Sequence, residues 1–285
     1  MYDMTPSGAG RRSIRPEPAL WDPGESLIER GGIYTVCRKS ACPNIAECYS
    51  QKLATFMILG NRCTRQCTFC NAPQGVPLPP DQDEPLRVAE TVREIGLRHV
   101  VITSPTRDDL PDGGAEQFAR TVEAIKAVDA DIIVELVIPD MRENETALAT
   151  VAASGADIVG HNLETVPRLY HLRKGAQYAR SLRVLQKLKT FNPAVQTKSG
   201  LMLGLGESME EVLSVMQDLL GVQCRTLSIG QYVAPSISHQ SVAEYVEPVY
   251  FDFFRKQGKV MGFHYIKSSP YTRVSHKLAG AFEEG

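Results

Sequence analysis

Six of the seven cysteines of this 285-residue chain lie between Cys37 and Cys70. Such a cluster fits metal binding in a reducing compartment better than a disulfide framework. It divides into two triads. The downstream one, Cys63-Thr-Arg-Gln-Cys67-Thr-Phe-Cys70, has Cys-x3-Cys-x2-Cys spacing and directly follows a predicted strand. Thiolates are soft ligands suited to iron–sulfur clusters, and this spacing lets one loop wrap a cubane. Three ligands for four irons leave one iron open to chelate a small molecule. Zinc is the competing reading, because Cys67 and Cys70 alone would suit a knuckle. A structural zinc site needs four ligands, however, and the next histidine downstream is His99, within an apolar run. The upstream triad, Cys37, Cys42 and Cys48, has Cys-x4-Cys-x5-Cys spacing and by itself fits a small metal-stapled segment.

Past the cysteines, apolar runs alternate with helical patterns in the manner of parallel βα units. The expected strands are Thr55–Leu59, His99–Thr103, Ile132–Ile138, Asp157–His161, Gln196–Leu203, Thr226–Gln231 and Phe263–Lys267. Helices are expected over Pro85–Ile95, Gly114–Val128, Glu145–Ala153, Ala176–Thr190, Ser208–Leu220 and Pro248–Met261. Ser208, followed three positions later by Glu211, reads as a capping box, and Pro248 suits a first helical turn. The fold class is therefore α/β, a partial (β/α)6 TIM-like barrel rather than a doubly wound sheet. Residues 1–53 read as an N-terminal extension carrying the upstream triad, 54–267 as the barrel and 268–285 as a tail. Barrel sites form at the C-terminal ends of the strands. That rule singles out Ser104, His161, Asn162, Lys198, Ser199 and Gln231.

A formal net charge of −2 gives no reason to expect nucleic acid or an anionic membrane as partner. No apolar run reaches the length of a membrane span, and the N-terminus lacks the apolar region of a signal peptide, so the expected location is cytoplasmic.

The Cys63/Cys67/Cys70 spacing, with Phe69 before the last cysteine, resembles the signature of radical S-adenosylmethionine (SAM) enzymes. Both triads together resemble the arrangement of lipoyl synthases. The surrounding segments agree: Ala54-Thr-Phe-Met-Ile-Leu-Gly60, Arg107-Asp-Asp-Leu-Pro-Asp-Gly-Gly114, His161-Asn-Leu-Glu-Thr-Val-Pro-Arg168 and Thr197-Lys-Ser-Gly-Leu-Met-Leu-Gly-Leu-Gly-Glu207. The resemblance runs from about Pro23 to Lys277.

It implies two 4Fe-4S clusters and SAM as cofactors. Cys63, Cys67 and Cys70 would hold the cluster that reductively cleaves SAM to a 5′-deoxyadenosyl radical. Cys37, Cys42 and Cys48 would hold an auxiliary cluster that supplies sulfur. The implied reaction inserts two sulfur atoms at C6 and C8 of an octanoyl chain carried on a lysine of a lipoyl carrier domain or H-protein, with a ferredoxin- or flavodoxin-type electron donor. In the family a serine near the C-terminus completes the auxiliary cluster, within an Arg-Ser-Ser-Tyr motif. Here Arg273 and Ser275 match that motif while Val274 and His276 depart from it. Ser275 is the candidate ligand, and His276 or an open position are the alternatives. For SAM, Asn162 and Glu164 are the leading contacts, followed by Phe69, Ser104, Lys198 and Gln231. Lys198 has the alternative of holding a substrate carbonyl or carboxylate.

Two other functions stay open at this stage: a sulfur-inserting paralogue acting on a different acyl substrate, and a non-catalytic iron–sulfur or zinc-binding adaptor. Cys224 reads as a buried structural thiol. Arg180, Arg183 and Lys187 share one face of a predicted helix and read as a solvated basic face. Gly204-Leu-Gly206 reads as a backbone turn after a strand rather than a phosphate loop.

Overall fold

In the computed structural model, which describes Ile28 and residues 31–39 and 44–273, eight strands form one sheet in chain order. They are β1 (Tyr34–Thr35), β2 (Leu53–Met57), β3 (His99–Thr103), β4 (Ile133–Val137), β5 (Ile158–Gly160), β6 (Gln196–Leu203), β7 (Thr226–Gln231) and β8 (Tyr265–Ser268). β1 pairs antiparallel with β2, and every later pair is parallel. β1 and β8 do not pair, so the barrel is open along one side.

The parallel strands are joined by helices Glu84–Ile95, Ala115–Val128, Glu145–Ala152, Tyr178–Phe191, Met209–Gly221 and Pro248–Met261. Their ends follow local chemistry. Glu84–Ile95 stops at Gly96, whose φ of 69° is the left-handed conformation glycine accepts at a helix C-terminus. Met209–Gly221 starts at the expected capping box: the Ser208 hydroxyl accepts from the Glu211 N–H, and the Glu211 carboxylate accepts from the Ser208 N–H. Pro248 opens the last helix.

Alternation along each strand separates two environments. On the outer face, Phe56, Val100, Ile102, Val134 and Leu136 pack against Val88, Val92, Phe118 and Val122 of the helices. Leu201, Leu203, Leu227 and Ile229 do the same with Val212, Met216, Leu219 and Phe254. Fully burying one such side chain contributes about 1.5–3 kcal/mol, so this layer dominates the stability. The alternate residues, among them Thr55, Val101, Glu135, Lys198 and Ser228, face the barrel interior.

Expected and observed strands agree for β3, β6 and β7. β2 lies two residues earlier than the sequence pattern suggests. Leu59 and Gly60 both take positive φ, 64° and 79°, which bends the chain out of the sheet before the cysteine loop. Ahead of β2, short helices Val36–Lys39 and Ile45–Ser50 carry Cys37 and Cys48, both buried. Cys42, Val274, Ser275 and His276 lie outside the described residues.

Candidate active site

The Cys63/Cys67/Cys70 loop leaves β2 at the C-terminal end of the barrel and is clamped twice. At its base, the buried Arg107 donates to the Leu59 carbonyl at 3.0 Å and the Leu78 carbonyl at 2.9 Å, while pairing with Asp109 at 2.8 Å. Higher up, Arg65, between Cys63 and Cys67, makes forked bonds to two carboxylates. It reaches Asp108 at 2.7 and 2.9 Å and Asp140 at 2.6 and 2.9 Å. Asp108 lies beyond β3 and Asp140 beyond β4, so one guanidinium ties the loop to two neighbouring strand ends. Burial works to discharge Arg65, but its bonds to Asp108 and Asp140 outweigh that and raise its pKa. Asp140 responds oppositely: burial alone would raise it, yet Arg65 brings it down to about 2.

Within the loop, the Arg65 N–H approaches Cys63 Sγ at 3.4 Å and the Ala72 N–H approaches Cys70 Sγ at 3.5 Å. Burial pushes the Cys67 thiol up to about 11, with Cys70, Cys63 and Glu164 adding repulsion and Arg173 opposing it. Cys70 is raised by burial for the same reason. In the metal-free loop, burial and mutual repulsion thus work against negative charge on Cys67 and Cys70. Iron charge would reverse that penalty, which is the environment a cluster needs. Among the described residues, no three His, Cys, Asp or Glu side chains close tightly enough to hold a single metal ion.

Asn162 and Glu164, the leading candidates for SAM contact, follow β5 and meet each other side chain to side chain. Glu164 takes φ 64°, and its backbone bonds Gly200 and Met202 of β6 at 2.9 and 2.8 Å, which fixes its side chain beside the cysteine loop. Burial raises its pKa, opposed by Arg173 and Asn162. The Ser104 hydroxyl is buried without a hydrogen-bond partner, as a group intended for a ligand would be. Phe69 packs against the second hydrophobic cluster.

Two other candidate contacts are engaged by protein groups. Lys198 is 1% exposed inside the barrel, with Nζ 2.5 Å from Glu135 Oε1, because its position in β6 is well before the strand end. Gln231 uses both ends of its amide on the 232–246 segment: Nε2 donates to the Tyr232 and Glu244 carbonyls at 2.9 and 3.1 Å, and Oε1 accepts from Val246 at 3.0 Å. Its role is to organise that segment. Gly204 lies against it at φ 100°, where a Cβ would collide with Gln231 Nε2 and the Glu244 carbonyl. Gly204 thus turns the chain as expected, and for a packing reason too. The expected basic helical face is also spent: Arg183 pairs with Glu143 at 2.7 Å, Lys187 with Glu145 at 2.8 Å and Arg180 with Asp140 at 3.3 Å. Cys224 is fully buried as expected.

Sequence reasoning missed Arg173. It donates to the Leu163 carbonyl at 3.0 Å and to Tyr170 Oη at 2.6 Å, and a backbone bridge sets it beside Cys67. Tyr170 donates to Ser181 at 2.9 Å, and Ser181 meets His161 Nε2 at 2.9 Å. The His161 Nδ1–H donates to the Ile138 carbonyl at 2.9 Å, and burial lowers its pKa to about 4, so the ring is neutral. Nothing in the local sequence marks Arg173. Arg65 was visible inside the triad, but its partners Asp108 and Asp140 were not.

A family model of the radical SAM superfamily matches residues 57–219. The lipoyl synthase of Geobacter metallireducens is 53% identical over 262 residues, covering 92% of this chain and 93% of that protein. The chain belongs to the lipoyl synthase family. The lipoyl synthase of Trichlorobacter lovleyi is 54% identical, covering 90% of this chain and 93% of its own length. A solved structure of methylornithine synthase superposes with a TM-score of 0.54 at 14% identity, covering 86% of this chain and 82% of that one, and supports the fold alone. As a lipoyl synthase family member the chain is a sulfurtransferase of the radical SAM type, a class that uses SAM and 4Fe-4S clusters, one of them auxiliary. None of the helices among the described residues is long and apolar enough to cross a membrane.

Proposed function

We propose that the chain inserts two sulfur atoms at C6 and C8 of an octanoyl chain borne on a lysine of a lipoyl carrier domain or H-protein, in the cytoplasm and with electrons from a ferredoxin- or flavodoxin-type donor. The observation carrying this reading is the doubly clamped loop that gathers Cys63, Cys67 and Cys70 at the mouth of an open barrel, in a chain 53% identical to a lipoyl synthase.

When bound, SAM and the two clusters supply the radical chemistry and the sulfur. The residues of this chain hold and shield them. Cys63, Cys67 and Cys70 hold the cluster of the mouth, and Arg65 and Arg107 keep their loop from moving. Arg173 sets a cation beside Cys67, and Asn162, Glu164 and Ser104 present polar groups to SAM. Phe69 backs the loop with apolar packing that keeps water away, as a reactive radical requires.

Cys37, Cys42 and Cys48, with Ser275, hold the auxiliary cluster. Asn44, between Cys42 and Cys48, donates to the Tyr271 carbonyl at 2.8 Å. That bond brings the upstream triad to a segment four residues before Ser275, which supports the serine as fourth ligand.

The test is an anaerobic reaction of reconstituted protein with SAM, reductant and an octanoyl-lysyl peptide. The expected result is 5′-deoxyadenosine together with a peptide mass gain for two sulfurs. Deoxyadenosine without sulfur gain on this peptide would instead support a paralogue acting on another acyl group.

A further inference from the structure

The inner face of the barrel carries a charged cluster that the reading above leaves without a task. Glu135 of β4 is 0% exposed, Lys198 of β6 1% and His99 of β3 3%. Lys198 Nζ meets Glu135 Oε1 at 2.5 Å, across Gly160 of the intervening strand, and Glu135 Oε2 lies 3.6 Å from His99 Nε2. That second gap exceeds a hydrogen bond. His99 Nε2 and Glu135 Oε2 are both buried without a partner, as are the Thr55 and Ser228 hydroxyls. Register places Thr55 opposite Val101, Val101 opposite Glu135, and Ser228 opposite Gly200, two positions from Lys198. All of them share the inner face. Buried polar atoms left open in this way are ordinarily satisfied by ordered water.

Toward the mouth the inner face changes character. Val137 and Met202, nearer the strand ends on the same face as Glu135 and Lys198, are half-buried and apolar, and Thr103 opposite Val137 has its hydroxyl engaged by the Val137 carbonyl at 2.8 Å. An acyl chain tethered to a folded carrier must come in methyl end first, because the carrier is too large to follow. The pocket at the N-terminal end of the barrel mixes apolar groups, Val195 and Ile266 among them, with the basic Lys189, Arg225, Arg255 and Lys259, and it lies at the opposite end from the cysteine loop. Admission at the mouth or the open side then directs the methyl end from the apolar tier toward the buried charges.

We propose that Glu135, Lys198 and His99, with Thr55 and Ser228, form a polar floor that stops the acyl chain and limits its length. This rests on the reading that the substrate is a carrier-bound acyl chain. An alkyl tail that reaches the floor must cover open polar atoms and a buried ion pair, whose needs alkyl groups cannot meet, so added length is disfavoured there. These residues bound the site at the methyl end of the chain, the end that carries C8, and so set specificity through its length.

The decisive comparison uses octanoyl- and decanoyl-lysyl peptides of one sequence. Binding is measured by fluorescence anisotropy on reconstituted protein with SAM and no reductant, and turnover by peptide mass. Wild-type protein is expected to favour the octanoyl peptide by at least about tenfold, the scale on which extra methylenes are discriminated. In Glu135→Leu/Lys198→Met, which exchanges the ion pair for apolar groups of similar size, that ratio should fall about tenfold through a gain on decanoyl. Glu135→Gln/Lys198→Met removes the charges with less change of shape and should move the ratio the same way. Should either variant keep the wild-type melting temperature and iron content with an unchanged ratio, or should wild type bind both peptides alike, the floor has no such role. Wild-type protein that binds octanoyl selectively yet inserts no sulfur would overturn the proposed reaction and leave the floor standing.

Discussion

The two cysteine triads are built on different foundations. Cys63, Cys67 and Cys70 sit on a loop rooted in a barrel strand and pinned by Arg65 and Arg107 to the ends of its neighbours. Cys37 and Cys48 sit on short helices ahead of the first parallel strand, and the segment between them meets the segment after the last strand through Asn44 and Tyr271. Loops on a rigid scaffold hold chemistry in place. The upstream triad instead stands outside the parallel strands, where segments far apart in sequence meet. That contrast matches the roles proposed here: one cluster kept through every cycle and the other consumed.

The contrast can be broken at several points. The largest effect is expected from Cys67→Ala, which should abolish 5′-deoxyadenosine formation and reduce iron from about eight to about four per chain, measured by iron analysis and product chromatography. Cys48→Ala should lose a similar amount of iron yet still form deoxyadenosine, with sulfur insertion gone. If both variants lose deoxyadenosine alike, the division of labour is wrong. Ser275→Ala should likewise retain deoxyadenosine but lose lipoyl product; full product from it would remove the serine from the ligand set.

Arg65→Ala leaves Asp140 to Arg180 at 3.3 Å and Asp108 to Arg142 at 3.2 Å, so it removes the forked bonds without leaving either carboxylate unpaired. It should destabilise the apoprotein by about 1.5–3 kcal/mol, with Arg65→Lys intermediate, read by denaturant unfolding. A smaller effect is expected with pH. The Asp140 carboxyl is held down to about 2, below its ordinary 3.8, so its contribution is present above about pH 4 and lost as pH falls toward 2. The loss should be on the order of 2 kcal/mol, and Asp140→Asn should flatten that part of the melting-temperature profile. Smallest of all, Asn44→Ala removes one exposed hydrogen bond of about 1 kcal/mol and should slow sulfur insertion a few-fold while sparing deoxyadenosine.

The barrel was legible because its signal is periodic: buried strands of Val, Ile and Leu separated by amphipathic helices announce themselves locally. The cysteine loop was legible through spacing alone. Lys198 and Gln231 are engaged by protein groups for different reasons: Lys198 stands third in the strand Gln196–Leu203, facing a buried carboxylate, whereas Gln231 ends its strand, where a polar residue looks the same in sequence whether it faces a ligand or its own loop. Only register placed Lys198 opposite Gly160, with room to reach Glu135. Arg173 was hidden because its importance comes from where a turn between β5 and β6 returns against Cys67, a long-range contact no window of sequence contains.

Gly204 touches no reactant, yet a single added methyl there would have to push the Gln231 amide and the Glu244 carbonyl aside. Those two groups hold the hoop of chain from 232 to 246 down on the barrel rim. In an exhaustive substitution scan scored by growth, position 204 should therefore read like a cluster ligand, blank for every other residue, although what fails is the seating of a loop rather than any bond to iron.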